Sequence, residues 1–385
     1  MMHYRHANWR YRLFLVSLVI TGIAVITLVA RDLMSGDIKD IPVTPTTVIA
    51  NTTTKATPPA KPKPPIAKPL PTVVTNPAID QYLTRLNFSG TAVVVRNGQV
   101  ILRKAYGLRD RDKQLPNEIS TPYYIGSAQK AIIATAILQL QDAHKLNVND
   151  SINKYLPDFP NGGTIKLKNL LTHTSGIVGH AETNAAITPH DLVTDIEKRG
   201  IKSQPGHWNY QDSNYSVLGY LVEKLSHQSL DTYLKQHIYE PAGMTSAGSY
   251  RTFLKVTNHS VGYQIKNGQY TTPALPDLSQ LYGCGNIYMS ANDMYQFDHA
   301  LMSGKLISSN ARQQMFTPGS PSTYGMGFYV NPGSYSNHGV LSGWNLVNGF
   351  SHSGQTYVVI MANVQNNIKS FGSVLNQIFG LLNQS

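Results

Sequence analysis

Cysteine is almost absent from this 385-residue chain, and its histidines show no pattern typical of metal binding. The single cysteine, Cys284, excludes an internal disulfide and any zinc cluster built on cysteines. Its neighbours, Tyr-Gly-Cys-Gly, indicate a turn with a small buried side chain. The 13 histidines show no paired ligand spacing, so the sequence predicts no metal and no other cofactor.

Charged residues are also scarce, at 14% of the chain, and basic residues outnumber acidic ones to give a net charge of +11. A positive balance favours anionic neighbours such as membrane or cell-wall polymers. The folded part has no Arg/Lys cluster with interleaved aromatic residues, so a nucleic-acid partner is not expected. An apolar content of 41% allows a sizeable core in one large domain or two ordinary ones.

An 18-residue apolar stretch without a charge covers residues 13–30 and nearly spans a bilayer core, which is roughly 30 Å thick. Three arginines precede it, which predicts that residues 1–12 are cytoplasmic and that the rest is exported. A cleaved signal peptide would look similar, but cleavage after Ala30 would place Leu28 where a small residue is expected. The sequence therefore favours an uncleaved, single-pass transmembrane signal-anchor and a location at the cell membrane.

The remainder divides into a spacer and a folded domain. Residues 31–75 are rich in Thr, Pro and Lys, which is typical of a stiff extracellular linker. Within residues 76–385, "GTAVVVRNGQVILRKAYG" predicts a hairpin, and "TYVVIMANV" near the end predicts another strand. Helical stretches lie between these strands. We therefore expect an α+β fold in which one antiparallel sheet is built from both ends of the domain, beside an all-helical lobe.

The pattern Ser-x-x-Lys occurs twice, at Ser127 with Lys130 and at Ser151 with Lys154, and roughly one or two matches are expected by chance. Only Ser127 opens a long apolar run, "AIIATAILQL", which predicts a buried helix. Residues i and i+3 share a face, so the amine of Lys130 would lie beside the hydroxyl of Ser127. Burial would lower the pKa of Lys130 and let it accept a proton near neutral pH. The alternative is a helix-capping serine followed by a lysine with a buried stem.

Ordered segments over residues 78–383 resemble the serine β-lactamase and penicillin-binding protein family, in the branch of class C β-lactamases and DD-peptidases. The segments are the opening hairpin, "YYIGSAQKAIIATAILQL", "KLNVNDSINKYLPDF", "IKLKNLLTHTSGI" and "YGCGNIYMSANDMYQFDHALMSGKLIS". The resemblance implies a β-lactamase/transpeptidase-like fold, with Ser127 as the nucleophile of an acyl-enzyme mechanism. It also places Ser151 in an ordinary structural segment. His173 and Ser175 are interpreted as turn and cap residues of a scaffold loop.

By the same resemblance, "NYQDSNY" carries the second family motif, Tyr-x-Asn. Tyr210 then corresponds to the tyrosine that shares a proton with Lys130 and passes it to the leaving group. The third position is Asp212 rather than asparagine. In the family, this asparagine holds the lysine and binds the amide of an acylated substrate. Aspartate keeps the acceptor and adds a negative charge, but it lacks the N–H₂ donor.

The third family motif, Lys-Thr-Gly or His-x-Gly, corresponds to "YSNHGVLSGWN". Spacing to a later glycine aligns Gly339 with the motif glycine, which leaves Asn337 where lysine or histidine is expected. A shift of one residue would make His338 the motif residue but would break that spacing. Gly339 would allow backbone to approach the substrate closely. The N–H groups of Val340 and Ser127 would form the oxyanion hole.

These two departures favour a substrate with a free ammonium group and no carboxylate. D-alanyl esters of teichoic acids meet that description, and the family includes such esterases as well as DD-carboxypeptidases. We therefore expect a serine hydrolase that acts on a cell-wall polymer and is a poor β-lactamase, with β-lactams as weak acylating ligands. A low-activity penicillin-binding DD-carboxypeptidase or class C β-lactamase is the alternative enzyme. A non-catalytic cell-wall-binding module is the alternative from another class.

Overall fold

A seven-stranded antiparallel sheet is the central element of the computed structural model, which describes residues 70–384. The strands over this region are β1 Val73–Val74, β2 Gly90–Arg96, β3 Gln99–Tyr106, β4 Leu108–Asp110, β5 Leu115–Pro116, β6 Pro122–Tyr124, β7 Gly248–Ser249, β8 Gln264–Lys266, β9 Gln269–Thr271, β10 Ile287–Ser290, β11 Tyr329–Asn331, β12 Ser334–Leu341, β13 Trp344–Ser351 and β14 Thr356–Ala362. The central sheet has the order β1-β3-β2-β14-β13-β12-β11. Its two halves join where β14 pairs with β2, so the prediction of one sheet from both ends of the domain is confirmed.

Most helices lie between the two strand-rich ends of the domain, and two further helices lie near those ends. They are α1 Pro77–Arg85, α2 Gln129–Asp142, α3 Leu167–Leu171, α4 Pro189–Arg199, α5 Ser213–Ser226, α6 Leu230–Leu234, α7 Glu240–Ala242, α8 Tyr250–Phe253, α9 Ala291–Met302, α10 Ser309–Met315 and α11 Phe371–Asn383. Helices α1 and α11 cover one face of the sheet, which we call the back face. Helix α9 packs on the other face, the front face, together with the large apolar cluster that contains α2.

The hairpin of β2 and β3 turns at Asn97 and Gly98, as the sequence predicts. Both residues have positive φ, at 52° and 75°, which matches the right-handed twist of the flanking strands. Strand β1 lies within the segment predicted to be linker and pairs with β3. Ordered structure therefore begins before residue 76, because two valines follow the last proline of the spacer and complete the sheet edge.

The predicted membrane anchor, residues 13–30, and the cytoplasmic segment before it lie outside the described residues, as does most of the linker. Within residues 70–384, no helix has both the length and the apolar character needed to cross a bilayer. Helix α2 is nevertheless buried almost all round, as its composition predicts, and it forms the centre of the front-face cluster.

A carboxyl group lies buried under the front face of the sheet. Asp298 on α9 is completely buried, and its Oδ1 accepts a hydrogen bond from Asn348 Nδ2 on β13 at 3.2 Å. Its Oδ2 has no hydrogen-bond partner among the residues described. Burial raises the pKa of Asp298 well above 3.8, because the charged form would lose its hydration. Burial therefore favours the neutral form of the acid.

We expect Asp298→Asn to stabilise the protein at pH 8 by about 1–3 kcal/mol, which shifts the melting temperature by several degrees. The folded pKa lies above the unfolded value, so stability falls as pH rises from about 4 through the folded pKa. Asparagine keeps the shape and removes this proton linkage. Thermal unfolding at pH 5 and pH 8 measures the effect, with exposed Asp112→Asn as the matched control. An unchanged pH dependence in Asp298→Asn would contradict the prediction.

Candidate active site

Ser127 lies in a single 3₁₀ turn, Gly126–Ala128, that leads directly into α2. The Nζ of Lys130 is 2.9 Å from the Oγ of Ser127, so the spacing of three residues brings the two groups together as predicted. Gly126 has φ of +49°, and a Cβ there would come within 2.4 Å of the carbonyl oxygen of Val340. Glycine therefore lets the serine turn pack directly against the backbone of β12.

Three oxygen atoms surround the ammonium of Lys130: two accept its hydrogen bonds and the third forms an ion pair with it. Besides the hydroxyl of Ser127, Nζ lies 2.8 Å from Asp212 Oδ1 and 3.2 Å from the carbonyl oxygen of Cys284. Burial of the side chain would lower the pKa of Lys130, but the neighbouring Asp212 carboxylate, together with Tyr210 and Cys284, outweighs this effect and raises the pKa above the ordinary value. The lowered pKa expected from burial alone is therefore wrong. Lys130 is an ammonium group that stabilises negative charge on Ser127 Oγ.

Tyr210 and Asp212 approach Lys130 from the segment that enters α5. The ring of Tyr210 is centred 4.9 Å from the ammonium nitrogen, and the tyrosine is 37% exposed. Its hydroxyl has no hydrogen-bond partner among residues 70–384. Asp212 directly precedes α5, and its side chain remains partly exposed despite the ion pair. The four side chains predicted from the first two motifs therefore meet at one point.

A buried histidine packs against the ring of Tyr210. The ring of His173 lies 4.2 Å from that of Tyr210, with an angle of 31° between their planes. Its Nδ1 accepts hydrogen bonds from Asn214 Nδ2 at 3.1 Å and from the backbone N–H of Gln211 at 3.2 Å. Burial, assisted by the charge of Lys130, lowers the pKa of His173 well below 6.5, so the imidazole is neutral. The predicted scaffold loop thus contacts the tyrosine of the site.

Strand β12 places Asn337 and Gly339 on the front face, towards the serine turn. A Cβ on Gly339 would lie 1.8 Å from the carbonyl oxygen of Ile125, so only glycine fits there. His338 points to the back face, where it pairs across the strands with Val347 and where its Nε2 is 2.7 Å from Asn345 Oδ1. The geometry therefore corresponds to the register that aligns Asn337 with the motif residue.

Asn337 is only 4% exposed, yet neither Oδ1 nor Nδ2 has a hydrogen-bond partner in the described part of the chain. An unsatisfied buried amide costs free energy, on the order of 1–3 kcal/mol per group. The amide borders a cavity of about 280 Å³ beside Ser127. Asn337 is therefore available to a ligand that enters this cavity.

We call this cavity the serine cavity. Its lining is mostly polar and aromatic and includes one histidine. It is formed by Ser127, Trp208, Tyr210, Tyr324, Gly327, Tyr329, Asn337, His338 and Val340. None of these residues is Lys, Arg, Asp or Glu. The ammonium of Lys130 lies beneath the lining and is already paired with Asp212.

Sequence reasoning did not identify several groups that the structure brings to the site. Trp208, Tyr324 and Tyr329 give the serine cavity an aromatic wall, and the carbonyl of Cys284 binds Lys130. Trp208 lies two residues before Tyr210. Its closeness to the second family motif was the sequence signal that could have identified it. The other groups come from distant segments and carry no local signal. Cys284 itself is buried in a turn, as predicted.

The family model for β-lactamases matches residues 76–379. The chain belongs to the β-lactamase family. It is 57% identical over 313 residues to a Bacillus subtilis (strain 168) protein named penicillin-binding protein PbpX, covering 81% of this chain and 80% of that protein. It is also 32% identical over 298 residues to a teichoic acid D-alanine hydrolase of Staphylococcus aureus (strain MRSA252), covering 75% of this chain and 74% of that protein.

Among solved structures, the crystal structure of FmtA from Staphylococcus aureus is similar, with a TM-score of 0.74 and 27% sequence identity. The match covers 82% of this β-lactamase-family chain and 93% of FmtA. The predicted family and the β-lactamase/transpeptidase-like fold are confirmed. The protein is a serine hydrolase of this family, which excludes the alternative of a non-catalytic wall-binding module.

Proposed function

We propose that this serine hydrolase removes D-alanyl groups from ester linkages on an anionic polymer of the cell envelope, and that it is a poor β-lactamase. The observation that carries the proposal is the serine cavity, whose lining contains no Lys or Arg. Penicillins and peptide C-termini both carry a carboxylate, and a carboxylate that leaves water needs a cation or several donors. An aminoacyl ester has no such group.

The same lining suits the ammonium group of a D-alanyl ester. Trp208 and Tyr329 line the cavity, and aromatic rings can attract cations by roughly 0.5–2 kcal/mol. Asp212 is partly exposed, and its Oδ2 has no hydrogen-bond partner within residues 70–384. Because its Oδ1 pairs with Lys130, the pair as a whole adds no positive charge that would repel the substrate.

The chemistry follows from the contacts at Ser127. Its Oγ attacks the ester carbonyl, and the N–H groups of Ser127 and Val340 bind the resulting oxyanion. The ammonium of Lys130 stabilises negative charge on Oγ, and Tyr210 in its phenolate form takes the serine proton and then, as the phenol, passes it to the departing alcohol. Water then attacks the D-alanyl-serine ester and releases D-alanine and the free enzyme.

Two relatives bear on this proposal, and each favours a different substrate. A relative at 32% identity is a teichoic acid D-alanine hydrolase, which favours the ester substrate. The relative at 57% identity is named as a penicillin-binding protein, and this favours a low-activity DD-carboxypeptidase as the second candidate. The uncharged serine cavity argues for the first.

The proposed location is outside the cytoplasmic membrane, with residues 13–30 as an uncleaved anchor and residues 31–75 as the spacer. The motivation is the uncharged 18-residue run behind three arginines. A membrane-bound chain would keep the active site near polymers that are themselves attached to the membrane or wall. Fractionation of cells, followed by measurement of the mass of the mature chain, tests this location.

Release of D-alanine by the full-length chain tests the proposed reaction. We expect kcat/KM on a D-alanylated glycerol phosphate polymer to exceed that on a D-Ala-D-Ala peptide by roughly 10- to 100-fold, because the peptide carboxylate finds no cation. Ser127→Ala should release no D-alanine from either substrate. Faster hydrolysis of the peptide would favour the carboxypeptidase instead, and efficient penicillin turnover would refute the claim of poor β-lactamase activity.

A further inference from the structure

A second cavity, of about 490 Å³, lies on the back face of the sheet, between strands β11 and β12 and the N-terminal end of α11. We call it the back cavity. Tyr329, Asn337 and His338 border both this cavity and the serine cavity. The two cavities therefore share part of their lining at β11 and β12.

The chemistry of the back cavity differs from that of the serine cavity. None of the 15 residues that line it carries a carboxylate, and Lys369 supplies an ammonium group. Lys369 is exposed and forms no ion pair within the described residues. Serine and asparagine side chains provide further donors, while Val347 and Leu375 form an apolar floor. Such a surface suits an anionic group joined to a short carbon chain.

His338 has one ring nitrogen left for a ligand. Asn345 donates from Nδ2 to the carbonyl oxygen of Gln365 at 3.0 Å, which turns its Oδ1 towards His338. His338 Nε2 must therefore donate the 2.7 Å hydrogen bond to that oxygen. Its Nδ1 has no hydrogen-bond partner within residues 70–384 and is left for a ligand.

The start of α11 adds a second group of donors to the same cavity. Ser370 caps the helix by accepting the N–H of Ser373 at 3.1 Å. Phe371 and Gly372, which also line the cavity, are in the first turn, where N–H groups have no acceptor within the helix. Asn337, buried and unpartnered, lies where this cavity meets the serine cavity. The start of α11 and the amide of Asn337 therefore add donors to the ammonium of Lys369.

We propose that the back cavity binds a phosphodiester group of the polymer backbone, one repeat or more away from the D-alanyl ester that Ser127 attacks. This inference rests on the proposed esterase function and names its substrate as a polyol phosphate chain. Lys369 provides the cationic contact, His338 adds a polar ring nitrogen, and the apolar floor accommodates the polyol carbons. A neutral glycan has no anionic group that could pair with the ammonium of Lys369. The cavity therefore selects polymer over small D-alanyl esters.

Lys369→Gln tests the role of the back cavity, with the exposed Lys305→Gln as a control for the same change of charge. We expect Lys369→Gln to weaken binding of an alanine-free glycerol phosphate oligomer by roughly three- to ten-fold, measured calorimetrically with the full chain. The KM for the D-alanylated polymer should rise by the same factor. Hydrolysis of D-alanyl glycerol, which is too short to reach the back cavity, should not change.

The readouts separate this inference from the esterase proposal. If the oligomer binds in a Lys369-dependent way but no ester is cleaved, the back cavity stands and the esterase proposal fails. If both esters are cleaved and Lys369→Gln matches Lys305→Gln in every assay, the back cavity is not a phosphodiester site. Lys369-dependent binding of an uncharged chitin oligomer, without binding of the phosphate oligomer, would also overturn the inference.

Discussion

Replacing Lys130 by methionine is expected to lower kcat on a D-alanyl ester by about 10³-fold. Methionine fills a similar buried volume, but it removes the ammonium that contacts Ser127 Oγ at 2.9 Å and Asp212 at 2.8 Å. Negative charge that develops on the serine would then lose its nearest cation. Steady-state release of D-alanine measures the effect, and thermal unfolding shows whether the variant still folds.

The second Ser-x-x-Lys of the chain provides the matched control. Lys154 is exposed and pairs with Asp150 at 2.8 Å, while Ser151 Oγ donates to the carbonyl of Gly163. Lys154→Met makes the same chemical change and is expected to leave kcat within two-fold of the parent. If a folded Lys130→Met enzyme kept more than roughly a tenth of the parent activity, Lys130 would not be part of the chemistry.

Much of the fold could be predicted because its signals are local. The Asn97-Gly98 turn and the alternating strands around it specify a hairpin by themselves, and the apolar run after Ser127 specifies a buried helix. Pairing between β2 and β14 joins residues more than 250 positions apart. The sequence suggested it only because one sheet is the simplest arrangement for strands at both ends of the domain. Strand β1 was missed because two valines after a proline-rich spacer carry too little pattern.

The site, like the fold, combines features that the sequence reveals with features that only the structure reveals. Ser127 and Lys130 meet because they are three residues apart on a helix, and this spacing is visible in the sequence. The charge state of Lys130 depends on whether burial or the Asp212 carboxylate dominates, and that balance exists only in three dimensions. The register of Asn337 and His338 likewise follows from strand pairing, since a shift of one residue reverses every side chain of β12.

Asn337→Lys is expected to give the enzyme a penicillin-acylating activity roughly 10- to 100-fold above that of the parent. The new ammonium would enter the serine cavity, where it could pair with the carboxylate that all penicillins carry. Asn337 lies directly opposite Asn348 on β13, and Asn348 binds the buried acid Asp298. Ionisation of that acid in the lysine variant would supply a counter-charge that limits the cost of burying the ammonium.

Asn337→Gln is the matched control for this variant, because it lengthens the side chain without adding charge. Acylation rates with a fluorescent penicillin, measured for the parent and both variants, test the prediction, and Asn337→Lys combined with Asp298→Asn should lose part of the gain. We also expect Asn337→Lys to hydrolyse D-alanyl esters more slowly, because the added cation repels the substrate ammonium. Equal acylation of the lysine and glutamine variants would show that charge at this position does not select the substrate, and the serine cavity would then discriminate by shape.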